Sequence, residues 1–448
     1  MDVLVIGGGP AGVAAAAEMA RSGLKVTLCE QGGALGGAIH RQPGNPARAV
    51  PVPRAQSARW HKLSALLAKT DAEVLTFHAF IGLDATGAVL VEDRRQGRLL
   101  VLRVRALVLA VGGLERVVPR PGWHLPGVVT VGGLQVMMKV TGRGPAGSVL
   151  LAGSGPLLLA VAAQMTALGA PPLAILERSR QVLSPLRAAP LLLWPRYLAE
   201  AAGYMRRLMQ AGVPWRLGSS VQTIRPTDDG RLETVIVDGA GAVSRIVVDK
   251  VALHDGLRSN SDGLPPAAHA TDRNPHVVLA GDCREALGGV AAIADGRNAA
   301  QQVIARLTGA PPMSSASRRI VDTERRAQQA LANIFDFGIP DLLKLPDETI
   351  LCRCEGRTVG ALRQMLATDD QPSPREIKLN GRIGMGSCQG RFCVEWAGAM
   401  LAQQTCSAQP AGAEFIGNRW PSRPVAIRSL LGPAVADAIS SIPPNESD

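Results

Sequence analysis

The stretch Val3 to Glu30, VLVIGGGPAGVAAAAEMARSGLKVTLCE, leaves the chain few ways to fold. Val3 to Ile6 is an unbroken apolar run, the pattern of a parallel strand covered on both faces. Gly7, Gly9 and Gly12 follow as G-x-G-x-x-G, with Pro10 and Ala11 inside the turn. An Ala-rich helix then leads to a second strand, Lys25 to Leu28, and Glu30 ends it 18 residues after Gly12. Strand, glycine turn, helix, strand and acid in this order are the dinucleotide-binding fingerprint. Gly7 permits the tight turn, Gly9 lets backbone approach a pyrophosphate, and Gly12 lets the helix pack closely on the strand. The helix N-terminus offers free N–H groups to phosphates, and Glu30 suits a ribose hydroxyl pair.

The same design recurs at Ser148 to Glu177, SVLLAGSGPLLLAVAAQMTALGAPPLAILE. Gly153 and Gly155 stand where Gly7 and Gly9 stood, and Glu177 ends the following strand. Leu158 occupies the place of Gly12. A second Rossmann-like half is expected, with Gly153, Gly155 and Glu177 as candidates for a second adenine nucleotide or NAD. Glu177 would repel a 2′-phosphate, so NADP fits less well than NAD. A half that keeps the fold without a hydride donor is the alternative that Leu158 raises.

A chain of 448 residues suggests about three domains. Only 3% of residues are aromatic against 46% hydrophobic overall, so the interior must be built from Ala, Val, Leu and Gly, which suits α/β layers. The net charge of +11 comes from scattered arginines without aromatics for base stacking, which argues against nucleic acid and for a solvated basic surface or a face for an acidic partner. The first strand begins at residue 3, so no cleavable signal is expected, and the most apolar run, Ser148 to Leu176, is broken by glycines and Pro171. No transmembrane segment is expected.

Three further segments bear on the first site. In GGALGGAIHRQPG, Gly37 and Arg41 lie where a flavin-lining loop would follow Glu30. ALVLAVGG, Ala106 to Gly113, is another buried strand, and Gly112 lets backbone approach a nucleotide. His276 to Ala280 is a strand closed by Gly281-Asp282, with an Ala-rich helix after it, so Asp282 can accept a hydrogen bond from a ribityl hydroxyl. Helices are expected over Ser57–Lys69, Tyr197–Gly212, Arg318–Phe335 and Val394–Leu401, and a hairpin near Gly239–Gly241. His40 and His124 fall in flavin-lining segments and are read as structural.

Four of the seven cysteines cluster late: Cys352 and Cys354 as C-x-C, Cys388 and Cys393 as C-x4-C. Four thiolates in one short segment suit a tetrahedral sulfur site, zinc or iron–sulfur. The spacing departs from the C-x2-C of zinc pairs, and Gly384, Gly386 and Gly390 can turn N–H groups toward cluster sulfurs. Seven cysteines so arranged fit a reducing, cytoplasmic setting, with a membrane-peripheral acceptor left open. No cysteine pair lies near Gly37 or within residues 113–250, which argues against thiol–disulfide chemistry.

MDVLVIGGGPAG, VLAVGGLERVVPRPGWHLPGV, GSGPLLLAVAAQ and VVLAGDC together resemble the two-dinucleotide-binding-domain flavoproteins. The resemblance is closest to the large α-type subunit of heteromeric opine oxidase, hydroxyproline or proline dehydrogenase and hydrogen cyanide synthase. CRCE…GMGSCQGRFC is similar to the bacterioferritin-associated-ferredoxin-like [2Fe-2S] domain of those subunits. The resemblance implies FAD on Gly7, Gly9, Gly12, Glu30 and Asp282 and a [2Fe-2S] cluster on Cys352, Cys354, Cys388 and Cys393. It further implies a D-amino-acid-oxidase-like flavoprotein β subunit that dehydrogenates a small amine or imino acid, and it admits a small ferredoxin-like subunit. Gly36-Gly37-Ala38-Ile39-His40-Arg41 and Ala110-Val111-Gly112 depart from the family pattern in the expected flavin surroundings.

The expected architecture is α/β, with two Rossmann-like dinucleotide-binding domains and a small helical [2Fe-2S] domain. Residues 1–130 and 250–308 form the FAD-binding domain, 131–249 the second Rossmann half, 309–347 a linker with a helix, 348–405 the cluster domain and 406–448 a tail. The expected function is an FAD- and [2Fe-2S]-containing electron-transfer subunit of an amine dehydrogenase. The alternatives are a stand-alone NAD(P)H-dependent reductase and a zinc-stapled scaffold. The seven histidines are scattered and no Ser-His-Asp arrangement is visible, so no residue stands out as a catalytic base.

Overall fold

The computed structural model describes residues 1–430 apart from 269–270, 272–273, 311–315, 336–337, 339–340, 368–371, 411 and 418–420. The end of the expected tail, residues 431–448, lies outside the described part.

Two five-stranded parallel sheets dominate the molecule. The first runs His276–Leu279, Ala106–Leu109, Val3–Ile6, Val26–Glu30, Glu73–Thr76. Val3 is in register with Val26 on one side and Ala106 on the other. The chain steps outward from Val3–Ile6 in one direction and then resumes on its other side, so the strand order reverses at Val3–Ile6. In open α/β sheets ligands bind outside the strand carboxyl ends at this reversal. The helix Pro10–Arg21 covers the sheet with Ala11, Val13 to Ala17 and Met19 buried, and the helix Gly289–Thr308 packs against it. The contact is close because Gly296 has no side chain: a Cβ there would fall onto the Ala11 carbonyl. Small residues at this crossing explain how a core poor in aromatics still fills its volume.

The second sheet repeats the plan as Trp215–Leu217, Ala174–Glu177, Val149–Gly153, Lys250–His254, Val128–Thr130. Each half also carries a three-stranded antiparallel sheet, His78–Leu83 to Arg98–Leu102 in the first and Ser220–Pro226 to Val243–Val248 in the second. The strands Gly113–Glu115 and Leu257–Ser259 pair antiparallel where the chain crosses between halves.

The boundaries at 130 and 250 need correction. They place Val128–Thr130 and Lys250–His254 in the first domain, but Lys250–His254 pairs with Val149–Gly153 of the second sheet and Val128–Thr130 pairs with Lys250–His254 at that sheet's edge. Val117, Trp123 and Val128 are buried in that sheet's core. A short apolar strand such as Val251 to Leu253 carries no local mark of the sheet that will bury it.

The expected helices form at Arg54–Leu67, Pro195–Gln210, Ala316–Ala332 and Val394–Thr405, and the hairpin joins Leu232–Val237 to Val243–Val248. The C-terminal unit pairs Ile350–Cys352 with Arg357–Thr358 and packs short helices around Leu351, Leu362, Trp396, Met400 and Phe415. One of them, Pro374–Gly381, starts on a capping box in which Ser373 and Glu376 satisfy each other's backbone N–H. The unit is tied to the rest by two indoles: Trp396 Nε1 donates to Val117 O (2.8 Å) and Trp123 Nε1 to Ile350 O (2.6 Å). Arg116 pairs with Glu395 (2.6 Å) and lies over the Trp396 ring.

Candidate flavin and thiol sites

The opening motif builds a cradle at the strand-order reversal. Gly7 has φ of 106°, and a Cβ on Gly12 would fall onto the Gly7 carbonyl. Gly9 caps the helix, and Pro10 takes its first turn, where a missing N–H costs nothing. Both oxygens of Glu30 are engaged by backbone, Oε2 accepting from Gly8 N–H (2.8 Å) and Oε1 from Gly32 N–H (2.7 Å). Each carboxylate oxygen has a second lone pair, so Glu30 can still accept from a ribose. The turn carrying Gly37 folds over the motif: Gly36 N–H donates to Gly8 O (2.8 Å), and a Cβ on Gly37 would sit 3.1 Å from Gly9 Cα. Arg41 points toward Gly32. Gly112, with φ of 78°, follows the neighbouring strand, and Gly281, with φ of 71°, packs on Ala11.

Asp282 lies against Gly113, and its Oδ1 accepts from the N–H groups of Leu287 and Gly288 (both 3.1 Å). Burial raises its pKa. The turn is fastened by Asp295, which sequence reasoning missed: it accepts Gly281 N–H (2.7 Å) and a forked pair from Arg284 (3.0 and 2.7 Å). The residues singled out around the first motif therefore converge on one sheet edge.

The second motif is shaped alike and filled differently. Gly153 has φ of 147°, and a Cβ there would strike the His254 carbonyl. Glu177, 1% exposed, accepts from Ser154 Oγ (2.7 Å), Gly155 N–H (3.1 Å) and Ser179 N–H (3.0 Å). Burial raises its pKa against those bonds. Leu158 is buried among Leu134, Val161 and Ile175. Beside the turn, His254 Nδ1 meets Glu115 Oε1 (2.7 Å), whose carboxylate also accepts Gly132 N–H.

Two more groups carry no mark in the motifs. Lys139, 1% exposed, donates to Ala38 O (3.0 Å) and Ile39 O (2.8 Å), fastening the Gly37 turn to the helix Val131–Thr141 of the second half. Burial and nearby Arg41 push its pKa down to about 8. A lone cation beside Val131, Leu134 and Met138 on a buried helix face is the signal that sequence offers for it. His40 stacks on Trp60 at 4.9 Å and 12°. Burial, then Lys139, Arg59 and His61, lower its pKa to about 4. It is neutral in the fold, whereas in the unfolded chain it protonates near 6.5. Stability should therefore fall as pH drops from about 6.5 toward about 4, because the unfolded chain gains the proton first. Urea melts across that window should show the loss, and it should shrink in His40→Phe.

The four late thiols are neighbours: Cys352 interacts with Cys393, and Cys354 with Cys388. Cys393 and Cys388 also feel each other's charge. Cys352 and Cys393 are buried, and Cys354 is exposed. The Cys393 thiol holds the Cys352 pKa down to about 6, aided by backbone N–H groups that include Gly384, while Cys393 is pushed up by the same partner. A Cβ on Gly386 would overlap Cys354, so the glycine loop is what lets the pairs close. Among the described residues, no three His, Cys, Asp or Glu side chains are set around a single metal ion. The Cys388 loop reaches the crossover strand pair, Gly113–Glu115 with Leu257–Ser259, where Arg258 donates to Arg391 O (3.1 Å).

Residues 1–313 match the family described as pyridine nucleotide-disulphide oxidoreductase. The chain is 31% identical to an opine oxidase subunit of Rhizobium meliloti, over 95% of this chain and 97% of that protein. It is 29% identical to hydrogen cyanide synthase subunit HcnB of Pseudomonas aeruginosa, over 90% of this chain and 93% of that protein. The solved structure of L-proline dehydrogenase from P. horikoshii shares the fold, with a TM-score of 0.64 at 18% identity, covering 96% of this chain and 79% of that one. Among the described residues no helix is long and apolar enough to cross a membrane.

Proposed function

The chain belongs to the pyridine nucleotide-disulphide oxidoreductase family as an FAD-dependent oxidoreductase, and we propose that it is the electron-transferring subunit of a heteromeric amine dehydrogenase, carrying FAD on the first motif and a [2Fe-2S] cluster on the four late cysteines. The observation that carries this reading is the pairing of the thiols, two and two, with the Cys388 loop hydrogen-bonded to the strand pair that leaves the first site. A single zinc calls for four ligands around one point, whereas two irons take two thiolates each.

When bound, FAD supplies a two-electron carrier and the cluster a one-electron carrier. Gly7, Gly9, Gly12, Glu30 and Asp282 would hold the flavin, with Gly37, Arg41, Gly112 and Gly281 shaping its walls. Cys352, Cys354, Cys388 and Cys393 would hold the cluster, and Gly384 would aim an N–H at its sulfurs. The chain's own residues position and insulate; His40 is neutral and clamped on Trp60, unsuited to moving protons. The relatives are named as subunits, which supports a partner, and we assign substrate dehydrogenation to a D-amino-acid-oxidase-like flavoprotein, with a small ferredoxin-like subunit as a further component. An opine, hydroxyproline, proline or glycine would lose two electrons and two protons across its C–N bond to give the imine.

The second half is proposed to keep the fold without serving a hydride donor, since Leu158 fills the close-packing place that Gly12 leaves open in the first motif, and Glu177 accepts three hydrogen bonds where Glu30 accepts two. The test is iron analysis and an anaerobic visible spectrum of the purified chain, before and after NADH. Iron with flavin, and no bleaching by NADH, is the expected result; Cys352→Ser should lose the iron and keep the flavin. Zinc in place of iron would sink the cluster, and bleaching by NADH would make the chain a stand-alone NAD(P)H-dependent reductase.

A further inference from the structure

Near the chain's end, residues 421–430 return to the first half of the molecule. Ser422 N–H donates to Ile81 O (2.7 Å), Ser429 Oγ to Glu92 Oε1 (3.0 Å), and Val425 and Leu430 pack on Ile81, Leu90 and Leu99. Between these anchors Arg423 reaches the end of the strand Val26–Glu30. One guanidinium nitrogen donates to Gln31 Oε1 (2.5 Å), while Nε is buried with no acceptor among the described residues. Two carboxylates lie within its field, Glu30, which accepts two backbone N–H groups, and Glu92, which accepts from Arg94 and Ser429, and neither accepts from Arg423 Nε. Burial, then Arg391 and Arg94, press its pKa down to about 10. A buried N–H of a charged group left without an acceptor costs free energy, and such groups in native structures call for an explanation.

The fingerprint says what would supply the acceptor. The pyrophosphate belongs at the helix N-terminus, by Gly9 and Gly12, and the ribose at the acid that ends the second strand. Gln31 follows that acid directly, so Arg423 stands at the adenosine end of the groove, not the phosphate end. A planar, donor-only guanidinium suits ribose oxygens and the ring nitrogens and face of adenine. We propose that Arg423 contacts the adenosine half of the bound dinucleotide, and that residues 421–430 form a strap selecting FAD over FMN. This rests on the reading that the first site holds FAD.

The test uses the full chain, stripped of flavin and titrated with FAD and separately with FMN by fluorescence quenching. Wild type should prefer FAD. Arg423→Ala should weaken FAD binding about tenfold or more, in line with loss of a charged hydrogen bond, and leave FMN binding within about twofold. Gln31→Ala, which frees the guanidinium on an exposed loop, should move FAD binding in the same direction by less and serves if Arg423→Ala does not fold. Equal FAD affinity in wild type and variants, with circular dichroism unchanged, would overturn the strap and leave the flavin reading standing. Equal losses for FAD and FMN would put Arg423 on shared phosphate and overturn the adenosine contact. A wild-type chain that takes up neither flavin would overturn both.

Discussion

Gly12→Ala should leave the chain without bound flavin and lower its unfolding free energy by about 3 kcal/mol, the upper end of what overpacking costs, because the added methyl meets backbone and not a movable side chain. The Gly7 carbonyl it strikes belongs to the turn that lets a phosphate approach, so relief by backbone shift opens the cradle. Gly44→Ala is the matched control: no described atom stands within 4 Å and φ is not positive, so stability and flavin content should stay as they are. Gly23→Ala separates the two terms. It meets no described atom either, but its φ of 88° should cost about 1 kcal/mol while flavin is retained. Urea midpoints and the ratio of flavin to protein absorbance read all three. A Gly12→Ala chain that keeps its flavin would show that the helix can slide, and the close-packing argument would fail.

Asp255→Ala should cost about 3–5 kcal/mol, the range for breaking a buried charge group by removing one partner. Asp255 is 1% exposed and accepts from Arg120 (2.5 Å), Arg178 (3.2 Å) and Val118 N–H (2.8 Å). Burial alone would raise its pKa; Arg120 and Arg178 outweigh it and hold the carboxyl below its ordinary 3.8. The group's stabilisation is therefore complete above the unfolded value of about 3.8 and is lost as pH falls through the lower folded value. Asp255→Asn should remove that acid limb from a plot of stability against pH. A loss under about 1 kcal/mol for Asp255→Ala would mean the two arginines find other partners.

Part of this was legible in the sequence because its causes are local. The Gly7–Gly9–Gly12 turn, the helix it starts and the acid at Glu30 fall within one βαβ unit, and spacing alone places them. The repeat at Ser148–Glu177 was visible for the same reason. The partners of Asp255, the Glu115–His254 pair, the grip of Lys139 on Ala38 and Ile39, and the approach of Gly296 to Ala11 join residues far apart in the chain. Each depends on which sheet edge meets which helix, a tertiary fact that no periodicity encodes. The displaced boundary at Lys250–His254 is the clearest case, since those residues read as a strand either way and only packing decides their sheet. Arg423 lies in a Pro- and Arg-containing stretch whose sequence does not name the residue it will meet; its return to Gln31 is what makes it unusual.

The strand His276–Leu279 and the helix Gly289–Thr308 complete a sheet whose other members were all made before residue 110. On the ribosome, the intervening half is therefore synthesised, and free to fold, before the first half is whole. Until then Ala106–Leu109 keeps an open edge and the helix Pro10–Arg21 lacks the neighbour that packs on it through Gly296. Nascent chains usually settle from the N-terminus onward; here the first-made segment waits for one made after the second half. A chain stalled short of His276 would present an unpaired strand edge, a template for pairing with other chains, and would lack the Gly281-Asp282 turn at the end of that strand.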